Sequence, residues 1–96
     1  MSDNQVTVVS VKLEDRADGG MRVSSEALPG LILSGSNKTA VCDAIAPAIQ
    51  AIFERKGYKI ATVRPDRPIR EVMREPSPRQ VDMHVLQFVV EYLAAA

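Results

Sequence analysis

The sequence predicts an α+β fold: a β-β-β-α meander with one long helix on one face of an antiparallel sheet, and further strand toward the C-terminus. Three observations predict it. Short runs in the first third place apolar residues at alternate positions, and Gly and Pro part them. After Ser36 the apolar period changes to that of a helix. The last apolar run, Val85 to Leu93, is rich in β-branched and aromatic residues. With 96 residues, of which 46% are hydrophobic, the chain can fill one core and not two, so a single domain over 1–96 is expected.

Gln5 to Leu13 reads as the first strand, with Val9, Val11 and Leu13 on one face and Ser10 and Lys12 on the other. Val6 and Val8 fall on the second parity, which predicts either cover on that face or a bulge. Glu14 to Gly20 is polar and ends in Asp18-Gly19-Gly20, residues that accept the positive φ of a hairpin turn. Met21 to Ser25 alternates again as a second strand. Leu28-Pro29-Gly30 interrupts it with turn chemistry, and Leu31 to Leu33 resumes as a third.

Val41, Ile45, Ile49 and Ile52 then recur along one helical face. Ser36 or Asn37 suits the N-cap, Arg55 and Lys56 suit the last turn, and Gly57 suits the stop. Pro47 lacks the N–H that would bond the carbonyl of Asp43, so a kink is expected there. Residues 58–63 read as a fourth strand and 64–79 as a charged, Pro-rich connection, with one or two helical turns over Ile69 to Arg74. The segment 81–93 alternates as a strand through Leu86, Phe88, Val90 and Tyr92, while Val85, Val89 and Leu93 also share a helical face. Its β-branched and aromatic content favours the strand, although Ser77-Pro78-Arg79-Gln80 would suit a helix start.

Composition narrows the function classes. The formal net charge is zero and aromatic content is 4%, so there is neither a global field for nucleic acid nor an aromatic platform for stacking bases. One cysteine and one histidine exclude a disulfide framework and make a poor metal site, and no cofactor is expected. The first residues carry no secretory pattern and no segment spans a bilayer, so a cytoplasmic protein without membrane contact is expected. Gly30 to Thr39 has two glycines at phosphate-loop separation, but Ser36 and Asn37 part Gly35 from Lys38 and the residues between the glycines are apolar strand. Cys42, Asp43 and His84 are the raw materials of a nucleophile system without a motif to join them, and Cys42 borders the buried helix stripe. A core cysteine and a non-enzymatic protein are the expectation.

The run from Val6 to Gly57 resembles the HicB-like antitoxin domain. The marks are the Asp18-Gly19-Gly20 turn, the strand Met21-Arg22-Val23-Ser24, the Leu28-Pro29-Gly30 step, the strand Leu31-Ile32-Leu33 ending in Ser34-Gly35, and the helix that follows. The resemblance implies a fold similar to a double-stranded-RNA-binding domain and a protein-protein interaction module that occludes a small basic toxin-like partner. Nothing after Gly57 reads as a DNA-binding module, so a stand-alone domain without DNA binding is expected. A sheet covered on one face must also hide or polarise its other face, and the valines of both parities point to a homo-oligomer. The alternative is RNA binding. Residues 54–79 hold eight basic against four acidic residues, and Arg64, Arg67, Arg70 and Arg74 would share one face if Asp66 to Arg74 were helical. A solvated connection, with glutamates at hand for pairing, explains the same charges.

Overall fold

A computed structural model describes residues 5–74 and 83–93 of the chain. In chain order the elements are β1 (Gln5–Asp15), β2 (Met21–Ser24), β3 (Ile32–Gly35), α1 (Lys38–Arg55), β4 (Lys59–Pro65), α2 (Ile69–Arg74) and β5 (Met83–Leu93). The five strands form one antiparallel sheet in the order β3-β2-β1-β5-β4. The α+β class and the β-β-β-α meander are as the sequence predicts. The last strand inserts beside the first rather than adding at an edge, so the two longest strands are the centre of the sheet.

Local chemistry explains each connection. Between β1 and β2 the Asp18 carboxylate accepts from the Gly20 N–H at 3.0 Å, and Gly19 takes a φ of 86°. Leu28-Pro29-Gly30-Leu31 is a type II turn by composition and geometry. Pro29 holds the second position, Gly30 the third with φ 97°, and the Leu31 N–H closes onto the Leu28 carbonyl at 3.1 Å. Both flanking leucines are buried, so the turn is pinned to the core. Leu31 therefore anchors the loop, and β3 begins one residue later than the sequence suggests.

Asn37 rather than Ser36 caps α1, its side chain accepting from the Ala40 N–H at 3.1 Å. At the other end the Gly57 N–H reaches Glu54 and the Tyr58 N–H reaches Phe53, the two bonds of a Schellman stop. The helix runs through Pro47 without interruption. Pro47 is exposed, so the missing bond lies on the solvent side, where helical bonds are already lengthened and water can replace them.

Val41, Ile45, Ile49 and Ile52 of α1 are buried against Val9, Val11 and Leu13 of β1, Met21 and Val23 of β2, and Leu86, Phe88 and Val90 of β5. α2 adds Val72 to the same core. Burial of Phe88, 1% exposed, contributes roughly 1.5–3 kcal/mol by itself. The Phe53, Tyr58 and Tyr92 rings meet at centroid separations of 5.0–6.0 Å and join the end of α1 to the end of β5.

Two further expectations change in the sheet. The sheet irregularity falls in β4, between Ile60 and Thr62, and not at Val6 to Val8, where pairing with β5 is continuous. The fourth strand extends past Val63 to Pro65, because Val63, Arg64 and Pro65 find register partners in Val90, Val89 and Phe88. Residues 75–80, with the remainder of the charged connection and the possible helix start at Ser77, lie outside the described residues, as do 81 and 82 at the head of the expected final strand.

Candidate functional site

The sheet presents one face to α1 and α2 and one to the outside. Strand register sorts the side chains: Val8 lies opposite Val89 and then Arg64, Val6 opposite Glu91, Lys12 opposite Val85 and Ser24, and Ser24 opposite Ile32. These are the outward residues, since their chain neighbours Val9, Val11, Leu86 and Phe88 are buried beneath the helix. Four large apolar side chains stand on this face with high exposure, Val6 at 60%, Val8 at 50%, Val85 at 59% and Ile32 at 72%. No described element packs over it.

The strands differ in length, and the difference opens a notch. β1 has 11 residues and β2 has 4, and β2 pairs only with Lys12 to Asp15. Beyond that point the chain turns away at Ser25, whose hydroxyl donates to the Ser10 carbonyl at 2.6 Å and accepts from the Leu28 N–H at 3.2 Å. The notch is a groove of ≈ 540 Å³, bounded by Ser10 and Lys12 of β1, the Ser24 to Ala27 turn, Ile32 and Val85. From Gln5 to Val9, no described strand pairs with β1 on the β2 side.

The four arginines do not share a helical face. Arg64 belongs to β4, points outward and meets Glu91 at 3.6 Å, an exposed pair of small energetic consequence. Arg67 lies in the bend after the strand, and only Arg70 and Arg74 fall within α2. The ladder decides this division, because the Asp66 N–H still bonds the Gln87 carbonyl at 2.9 Å. Pro68 reinforces it, since the residue before a proline is driven from helical geometry. Arg70 lines a second cavity of ≈ 810 Å³ with Lys38, Thr39 and Cys42, on the helix side of the sheet. Arg64 and Arg70 are thus on opposite sides of it.

Cys42 sits on α1 with its Sγ 3.6 Å from Met21 Sδ. Burial pushes its thiol pKa up, and the neighbouring Asp43 carboxylate adds to the rise, against a smaller opposing pull from Lys38. A protonated thiol against a thioether is core packing. Lys38 itself pairs with Asp15 at 2.6 Å, tying the start of α1 to the end of β1. His84 lies opposite Leu13 on the helix side of the sheet. No described helix is long and apolar enough to cross a membrane.

The chain matches no family model, no curated protein and no solved structure.

Among the described residues, the open face and the notch, rather than the arginine segment, are where apolar surface and strand without a neighbour coincide. Part of this was visible as the second-parity valines Val6 and Val8. The notch had a fainter signal, a first strand nearly twice as long as the second, which leaves part of the first without a neighbour unless another segment fills the place.

Proposed function

We propose that this chain is a non-enzymatic protein-binding module of the HicB-like, antitoxin type, which takes a small basic partner protein on the open face of its sheet. The exposed apolar set Ile32, Val85, Val6 and Val8 on a sheet face that no described element covers carries this reading. Single exposed apolar residues are ordinary, whereas several on one flat face are what protein interfaces bury. The order of elements from β1 to α1 agrees with the resemblance, and burial that raises the Cys42 thiol pKa disfavours its use as a nucleophile.

The test is affinity capture of the tagged chain from its own host, run beside an Ile32→Lys/Val85→Lys variant that keeps the fold. A small basic protein at stoichiometric yield with the parent chain, and lost with the variant, is the expected result. Equal recovery with both would overturn the face assignment. RNA recovered without protein, and lost on changing Arg67, Arg70 and Arg74 to Ala, would replace the proposal with the RNA-binding alternative.

A further inference from the structure

We infer that two copies of this chain pair antiparallel through the free edge of β1 from Gln5 to Val9, with Thr7 on the two-fold axis. Backbone direction carries the first step. The Ser10 carbonyl accepts from Ser25, which lies on the β2 side of β1, so Ser10 directs its peptide groups to that side. Residues two apart in a strand direct theirs the same way, and Val8 and Val6 therefore aim both N–H and C=O at the open edge. The exposed valine side chains and the peptide groups that no described strand meets belong to the same two residues.

The other two edges of the sheet are guarded and this one is not. β3 is only 4 residues long, and β4 carries Lys59, Arg64, an irregularity at Ile60/Thr62 and a terminal Pro65. Short length, charge, bulges and proline are the devices that stop strands from adding. Gln5-Val6-Thr7-Val8-Val9 has no charge, no proline, no glycine and three valines.

A second copy suits this edge because the edge is self-complementary. An uncharged strand meets its own image without like-charge repulsion, and an isologous pair requires the same patch on both sides. With Thr7 facing Thr7 of the second copy, Val6 lies opposite Val8 and Val8 opposite Val6. Each such pair exchanges two backbone N–H···O=C hydrogen bonds, while the threonines form the close, non-hydrogen-bonded pair between them. Shifting the register by two would place Ser10 opposite Val6, and the Ser10 carbonyl is already bonded. The overlap is only five residues on each chain, so the dimer is expected in equilibrium with monomer. It uses Val6 and Val8 and leaves the Ile32 and Val85 end of the face clear for another protein, so either interaction stands without the other.

Sedimentation equilibrium from micromolar to millimolar chain, with amide exchange of Val6 and Val8, tests the inference. Expected are a monomer-dimer equilibrium, protection of both amides that grows with concentration, and loss of both in Val8→Lys with an unchanged circular dichroism spectrum. Val85→Lys should still dimerise. Thr7→Cys in a Cys42→Ala background should cross-link to a dimer under mild oxidation. A parent chain that stays monomeric, or a dimer abolished by Val85→Lys and unaffected by Val8→Lys, would overturn edge pairing.

Discussion

The Ser25 hydroxyl bonds the Ser10 carbonyl at 2.6 Å, and at this point β1 changes from an interior strand to an edge. On one side of the bond β1 has β2 and β5 as neighbours; on the other it has β5 alone among the described residues. The same hydroxyl accepts from the Leu28 N–H, so one side chain ends β2, satisfies a strand carbonyl and positions the Leu28-Pro29-Gly30 turn.

Ser25→Ala removes both bonds. At about 0.5–1.5 kcal/mol for each, the expected loss is about 1–3 kcal/mol. Urea unfolding should show a lower midpoint with an unchanged slope, since the surface exposed on unfolding stays the same. A midpoint equal to that of the parent chain would mean that water replaces the hydroxyl without cost.

Gly20 and Gly30 should respond to alanine for different reasons. A Cβ at Gly20 would collide with the Gly35 carbonyl and the Ser36 backbone, where the chain entering β2 runs against the end of β3, and backbone cannot swing aside as a side chain can. Gly20→Ala is expected to cost about 3 kcal/mol or more. Gly30 has open space around it and only its φ of 97° to defend, so Gly30→Ala should cost about 1–2 kcal/mol. Thermal or urea melts that rank the two in the opposite order would refute the close-approach account.

Replacing Pro47 by Ala should stabilise the chain. The new N–H can bond the Asp43 carbonyl one turn back, and the exposed position asks no repacking. Proline's interior penalty of about 3 kcal/mol is partly offset by its stiffening of the unfolded chain, leaving an expected gain of about 2 kcal/mol. A rise in the unfolding midpoint checks this.

Cys42 should alkylate more slowly at neutral pH in the folded protein than after denaturation, because burial limits access to the thiol and lowers its thiolate fraction. The same shift makes stability depend on pH. The unfolded chain loses its thiol proton at lower pH than the folded one, so this contribution is complete below the ordinary thiol range. It is lost as pH rises through that range to the folded value. Cys42→Ala should flatten the alkaline decline, which urea unfolding at a series of pH values would reveal.

Much of the meander was legible because its signals are local. Alternation in Val9, Val11 and Leu13, the turn residues at Gly19 and Gly30, and the Val41-Ile45-Ile49-Ile52 stripe each act within a few residues, and each is used as its chemistry suggests. The run from Val85 to Leu93 is ambiguous in period and reads as a strand on its β-branched and aromatic content. Its neighbours on both sides, β1 and β4, are distant in sequence, and their ladders fix it as that strand. Ladder pairing likewise carried β4 through Arg64 to Pro65 and divided the arginines between the two sides of the sheet, against the helical spacing in their sequence.

The sequence alone determined the class of fold, the order of the first four elements, the helix face that enters the core, and the presence of surplus valines at Val6 and Val8. Tertiary structure decided where those valines stand. Side-chain parity is a property of one strand, whereas a free edge is a property of two strands in register. Only the offset of 4-residue β2 against 11-residue β1 shows that the peptide groups beside Val6 and Val8 lack a described neighbour on that side.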